Sequence, residues 1–274
     1  MKIKYRCCVD YSDENSQKII KLLEQRKIKY EDVMEKSFIF SLYSDDEITN
    51  EILGYPKIWY TMTSIFSNEE MENANWYTFE ATRHDIETSD PDFTFKYSCF
   101  YESEIGTRFR HAEQINPYIS KRVPKWKNNY NFCSVNTGDF NRIFCSDIAK
   151  MMIKNRNITG IEFMPVINRN NVPTENVSQL CFPNILPRDA FNFIGEYSEI
   201  VCPSCGKTRY IFDHPMCDNM RIKTELIPDG IDMFSAEMSV QSGQIVPPII
   251  VSKKFYNLVT KEMKEKHVRF RPIG

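Results

Sequence analysis

The chain has 274 residues, with 35 Lys and Arg against 37 Asp and Glu and a formal net charge of −2, which excludes a protein that coats nucleic acid or anionic membrane by bulk electrostatics. Hydrophobic residues make up 42% and aromatics 13%, enough core material for one large domain or two small ones, so global disorder is excluded as well. The nine cysteines are odd in number and lack the tight spacing of a small secreted scaffold; they read as reduced thiols of a soluble cytoplasmic protein.

The N-terminus, MKIKYRCCVDY, has no apolar stretch after its lysines, and MSVQSGQIVPPIIVS near the end carries two prolines. Neither reads as a signal or a membrane span. Residues 2 to 9 alternate, with Ile3, Tyr5, Cys7 and Val9 on one side, and predict a strand. A helix is expected to follow, with Ser12 as N-cap, Asp13 and Glu14 at its positive end, and Ile19, Ile20, Leu22 and Leu23 as its apolar stripe, ending near Arg26. From 37 to 101 the runs SFIFSLY, KIWYTMTSIF, NWYTFEAT and FTFKYSCFY are rich in β-branched and aromatic residues and predict strands. Between Asn68 and Asp92 eight acidic residues face one basic residue, Arg83, which predicts a distinctly negative face or connection.

Residues 105 to 130, with Pro117 and Pro124, read as an irregular crossover between a β-rich region, 1–130, and a C-terminal region, 131–274. Arg108, Arg110, Lys121, Arg122, Lys125 and Lys127 oppose only Glu113 there, interspersed with Phe109, Tyr118 and Trp126. Such a segment can track phosphates while its rings stack on bases. A solvated loop whose aromatics anchor to the core is the reading favoured by the slightly acidic chain.

An internal similarity organises the second region. CSDIAKMMIKNRNITGIEFMPV (145–166) and SKKFYNLVTKEMKEKHVRFRPI (252–273) each begin beside a serine, continue as a short helix and close on a strand of the form hydrophobic-x-Phe-x-Pro-hydrophobic. Ile148, Met151 and Met152 are the expected helical stripe of the first, with Ile161, Phe163 and Pro165 on its strand. Phe255, Leu258 and Val259, with Val268, Phe270 and Pro272, correspond in the second. Proline at a strand end removes a donor that a closing or edge position can spare.

Between these units, Cys202, Cys205, His214 and Cys217 have the spacing C-x2-C-x8-H-x2-C. A CPxCG turn aims two thiolates into one volume, and HPMC supplies the other half of a tetrahedral Zn2+ site. A closed Cys3His set leaves no coordination position for water, which makes the zinc structural. A reduced thiol pair at a turn is the alternative, and Cys181 or a partner residue can replace His214 as fourth ligand. A redox role for CPSC needs a thiol at a helix N-terminus, and strand-like residues flank it here.

Arg83-His84-Asp85 has an acid-base flavour but reads as a surface turn, and His111 and His267 stand without a motif. No nucleophile elbow, phosphate-binding Walker loop, dinucleotide fingerprint or H-E-x-x-H helix occurs, so the chain is read as a non-enzyme.

The paired segments resemble the C-terminal motif of bacterial immunity proteins associated with polymorphic toxins, and CPSCGK resembles part of the double-CxxCG proteins of similar settings. The second half departs from that pattern, being HPMCDN. The resemblance implies a protein that neutralises a toxin by binding it, without turnover. The acidic 68–92 region would then meet a basic toxin, a nuclease above all. A nucleic-acid-binding zinc ribbon and an enzyme with an unrecognised site are the competing classes. The expected fold is α+β, mainly antiparallel and β-rich, with two similar helix-strand units and a zinc-ribbon-like insertion at about 197–222.

Overall fold

A computed structural model describes residues 1–87, 91–102, 108–120, 122–135, 142–193, 197–201, 208–212, 220–236 and 248–273. The fold is α+β, with 41% strand against 23% helix. The chain divides into two compact units, Met1–Glu72 and Asn73–Gly274. Position 130, expected to mark a boundary, lies inside the second of them.

The N-terminal unit runs β1 (Lys2–Asp10), α1 (Ser16–Gln25), β2 (Tyr30–Val33), β3 (Ser37–Tyr43), α2 (Thr49–Leu53), β4 (Trp59–Ile65) and α3 (Asn68–Asn73). Its sheet has the order β2-β3-β1-β4, with every pairing antiparallel. This is the split β-α-β arrangement of ferredoxin-like proteins. The alternation read from residues 2 to 9 sets the layers. Cys7 and Val9 join Phe38, Phe40 and Leu42 from β3, Ile19 and Leu23 from α1, and Ile48 and Ile52 in one core, each large side chain contributing about 1.5–3 kcal/mol by leaving water. Ser12 is not the cap of α1. The Asp13 carboxylate accepts from the Asn15 amide at 2.8 Å and the Ser16 hydroxyl donates to the Tyr11 carbonyl, so this turn delays the helix to Ser16.

The C-terminal unit continues with β5 (Trp76–Ala81), α4 (Pro91–Thr94), β6 (Phe95–Glu102), β7 (Arg108–Gln114), β8 (Phe132–Ser134), β9 (Ile143–Cys145), α5 (Asp147–Asn155), β10 (Glu162–Ile167), β11 (Pro173–Cys181), β12 (Ile185–Leu186), β13 (Phe191–Phe193), β14 (Tyr197–Val201), β15 (Thr208–Phe212), β16 (Met220–Ile222), β17 (Met233–Ala236), β18 (Ile249–Ser252), α6 (Lys253–Asn257) and β19 (Val268–Pro272). Two of its sheets have the orders β10-β11-β9-β8 and β12-β17-β18-β5-β19.

The two similar sequence segments occupy corresponding places in those sheets. In each, a strand leads into a helix, the strand after the helix returns parallel to the first, and one antiparallel strand lies between them. That middle strand is β11 in one sheet and β5 in the other. The registers agree: Cys145, Ser178 and Pro165 line up across one sheet, and Val251, Tyr77 and Pro272 across the other. Outside them Phe132 pairs with Cys145 and Met233 with Val251.

The caps correspond too. Ser146 and Ser252 have nearly the same backbone angles, and each hydroxyl accepts from the amide three residues on. Each also donates its hydroxyl at 2.7 Å to the residue preceding the neighbouring strand, Asn131 or Asp232. Because Ser146, not Cys145, is the position equivalent to Ser252, the helix phase differs by one residue from the one expected. Ile148 and Met151 are exposed, and Ala149, Met152 and Ile153 match Phe255, Leu258 and Val259. The second helix needs one residue more to reach its left-handed terminator, Lys264 against Asn157. A π-turn at Leu258–Glu262, closed by the Met263 amide on the Leu258 carbonyl, takes up that residue.

The segment after each helix then closes on the other's anchor. Thr159, after α5, gives its amide to the Asp232 carboxylate at 3.1 Å and accepts the Asp232 amide at 3.0 Å. Glu265, after α6, takes the Asn131 amide at 2.7 Å and its side-chain amide at 3.2 Å. Gly160 (φ 81°) lets the chain pass here, since a Cβ would lie 2.2 Å from the Met233 carbonyl oxygen.

Candidate functional site

Cys202, Cys205, His214 and Cys217 all lie outside the described residues. The nearest described strands in the chain, β14 and β15, pair antiparallel from Tyr197–Phe212 at one end to Val201–Thr208 at the other, and Met220 pairs with Phe193.

Cys7, Cys8, Cys133, Cys145 and Cys181 are free. Burial pushes the Cys7 thiol up to about 12 and raises those of Cys133, Cys145 and Cys181. Such thiols pack as small hydrophobes. Cys181 ends β11 opposite Glu162. Among the described residues no three of His, Cys, Asp and Glu gather to hold a metal ion.

The aromatics of the basic crossover serve packing where they are described. Tyr118 is buried and packs edge-on against Phe95 and Phe144. The Trp126 indole donates to the Asn176 carbonyl at 2.6 Å, and its ring lies against Tyr130. These two rings are committed within the fold rather than displayed for bases.

The acidic stretch runs through the division after Glu72, and several of its described carboxylates are engaged. Glu70 binds the N-terminal amine, which with the Ser67 amide pushes its carboxyl down to about 2; Glu80 lies 3.5 Å from Arg269; Asp85 lies 2.9 Å from Arg83.

Arg83-His84-Asp85 is more organised than a surface turn. His84 Nδ1 lies 3.1 Å from the Val135 carbonyl oxygen, while Arg83 and Asp85 converge on Tyr130. The Tyr130 hydroxyl donates to Asp85, the Arg83 guanidinium sits 4.2 Å from the centre of the Tyr130 ring, and His267 meets that ring edge-on. Burial and the Asp85 hydrogen bond push the Tyr130 phenol upward, so it remains a donor. Nothing in local spacing links Arg83, Tyr130 and His267; the pairing of β5 with β19 brings them together.

The N-terminal unit offers a different kind of surface. Its helices pack on the Cys7 side of the sheet, and the opposite side carries Lys2, Lys4, Arg6 and Cys8 from β1 beside Trp59, Thr61, Thr63 and Ile65 from β4. Strand β4 is an edge. Its sequence, WYTMTSI, contains no charge and no proline, and Trp59 is 78% exposed, Tyr60 41% and Ile65 39%. Native sheets ordinarily blunt such an edge with lysine, proline or a bulge. The periodicity of KIWYTMTSIF predicts the strand but gives no sign that it is terminal in the sheet.

No protein-family model matches the chain, and no curated protein matches it either. Among the described residues, no helix is long and apolar enough to cross a membrane.

Proposed function

We propose that this protein acts in the cytoplasm by capturing a protein partner, without turnover, and that Cys202, Cys205, His214 and Cys217 hold a structural Zn2+. The partner class is a bacterial toxin, which the resemblance of its C-terminal segments to immunity proteins implies. The observation that supports capture is that β4 ends its sheet and, in a strand without charged residues, presents exposed Trp59, Tyr60 and Ile65. An extended segment of a partner can add to that edge through main-chain hydrogen bonds and seat its side chains against Trp59 and Ile65. Engagement of Glu70, Glu80 and Asp85 within the fold removes the reason to require a basic toxin, and an uncharged edge demands no particular charge.

Co-expression with the product of the neighbouring reading frame tests this reading. Wild-type protein is expected to co-purify with that product and suppress its toxicity. Trp59→Ala should weaken the complex about 30-fold, the loss typical of a buried aromatic anchor, and Thr61→Lys with Thr63→Lys should abolish it by restoring a blunted edge. Lack of capture by folded wild-type protein would refute the function, whereas undiminished capture by both variants would refute the surface. Lys2, Lys4 and Arg6 beside Trp59 favour single-stranded nucleic acid as a second reading. A salt-sensitive mobility shift that is lost in Lys4→Ala/Arg6→Ala would select it.

A further inference from the structure

The cleft around Tyr130 is the strongest unassigned feature of the C-terminal unit. It has a volume of about 570 Å³ and is lined by Arg83, Lys127, Asn128, Asn129, Tyr130 and His267. Its frame is fixed by backbone. Lys127 and Tyr130 close a tight turn through reciprocal main-chain bonds, the Lys266 amide donates to the Asn129 carbonyl, and the Thr82 amide donates to the His267 carbonyl. The His267 amide in turn donates to Glu265 at 3.1 Å.

The side chains on that frame divide into two groups. Asp85 Oδ2 receives both the Arg83 guanidinium and the Tyr130 phenol, so its charge is engaged beside the cleft. Among the described residues the side chains of Lys127, Asn128 and Asn129 and the ring nitrogens of His267 have no hydrogen-bond partner. An ammonium, two carboxamides and an imidazole thus surround one cleft as unspent donors. With Arg83 beneath them the field is positive, which suits a ligand with several acceptor oxygens and negative charge.

We infer that this cleft binds a phosphate-type oxyanion through Lys127, Asn128, Asn129 and His267. The volume is within the range of small-molecule sites and larger than one tetrahedral anion needs; the anion is either free phosphate or the phosphate of a small phosphomonoester. The groups facing His267 are Arg83 and Asp85 from the segment after β5, Lys127 and Tyr130 from the turn, and Glu265 and Lys266 on its own segment.

Titration calorimetry of the full chain with sulfate, inorganic phosphate and adenosine 5′-monophosphate tests the site. Saturable binding is expected, about tenfold weaker in Lys127→Gln and again in His267→Gln, the usual scale for one charge-assisted hydrogen bond. Lys127 is exposed, so its substitution leaves the packing intact. Adenosine monophosphate binding more tightly than phosphate assigns the site to a phosphomonoester, and equal affinity assigns it to the free anion. No saturable binding of any probe below about 10 mM, or equal binding by wild type and both variants, would overturn the inference.

Discussion

Gly160→Ala is expected to destabilise the C-terminal unit by about 3 kcal/mol or more, read from urea unfolding followed by near-ultraviolet dichroism. Two costs combine. The residue holds φ at 81°, where a side chain costs roughly 1–2 kcal/mol, and the added carbon would stand 2.2 Å from the Met233 carbonyl oxygen and 2.6 Å from Ile231 Cγ2. Relief of that clash has to move the segment in which Thr159 meets Asp232, and with it the anchor of Ser252. Gly230→Ala provides the control. Gly230 has nearly the same backbone, at φ 74°, but a Cβ there meets nothing within 4 Å, so its cost should be only the backbone component of roughly 1–2 kcal/mol. Equal losses in the two variants would mean that the close approach at Gly160 does not constrain the fold.

Purified wild-type protein should contain about one equivalent of zinc, and Cys202→Ser should contain almost none. Loss of outer-shell partners of metal ligands costs 10–100-fold in affinity, and loss of a thiolate ligand costs at least that much. The thiolates must be deprotonated and the imidazole neutral to bind, so zinc is retained at neutral pH and released as pH falls. Chelation should expose the 197–222 region to protease before it affects the β9-α5-β10 and β18-α6-β19 units, whose cores contain no metal ligand among the described residues. His214→Gln separates the ligand sets. Loss of zinc in both variants assigns the imidazole as fourth ligand, loss in Cys202→Ser alone moves that role elsewhere, and unchanged zinc in Cys202→Ser refutes the site.

Local alternation and helical pattern were legible in the chain because they depend on nearest neighbours. The strands at SFIFSLY, KIWYTMTSIF and NWYTFEAT and the similarity of the two helix-strand segments could all be read from them. Helix phase could not, because it depends on which residue caps: aligning Ser146 rather than Cys145 with Ser252 rotates Ile148 from the core to solvent. That β11 and β5 are the middle strands was equally hidden, since one follows its helix-strand segment and the other precedes its own by more than 160 residues in the chain. Short elements such as β2 and α2 carry too few residues to show a period. Candidate sites divide along the same line. A metal motif such as CPSC is contiguous and can be read, whereas the Arg83–Tyr130–His267 cleft and the bare edge at Trp59 arise from strand order.

Partner capture at β4 is most directly tested by amide hydrogen exchange in the free protein and in its complex with the co-expressed partner. The outer amides of Trp59–Thr63 should exchange quickly in the free protein and become strongly protected in the complex, while β2 at the opposite edge of the same sheet stays unchanged. Protection confined to other segments, with 59–63 exchanging equally in both states, would contradict this account of how the protein binds.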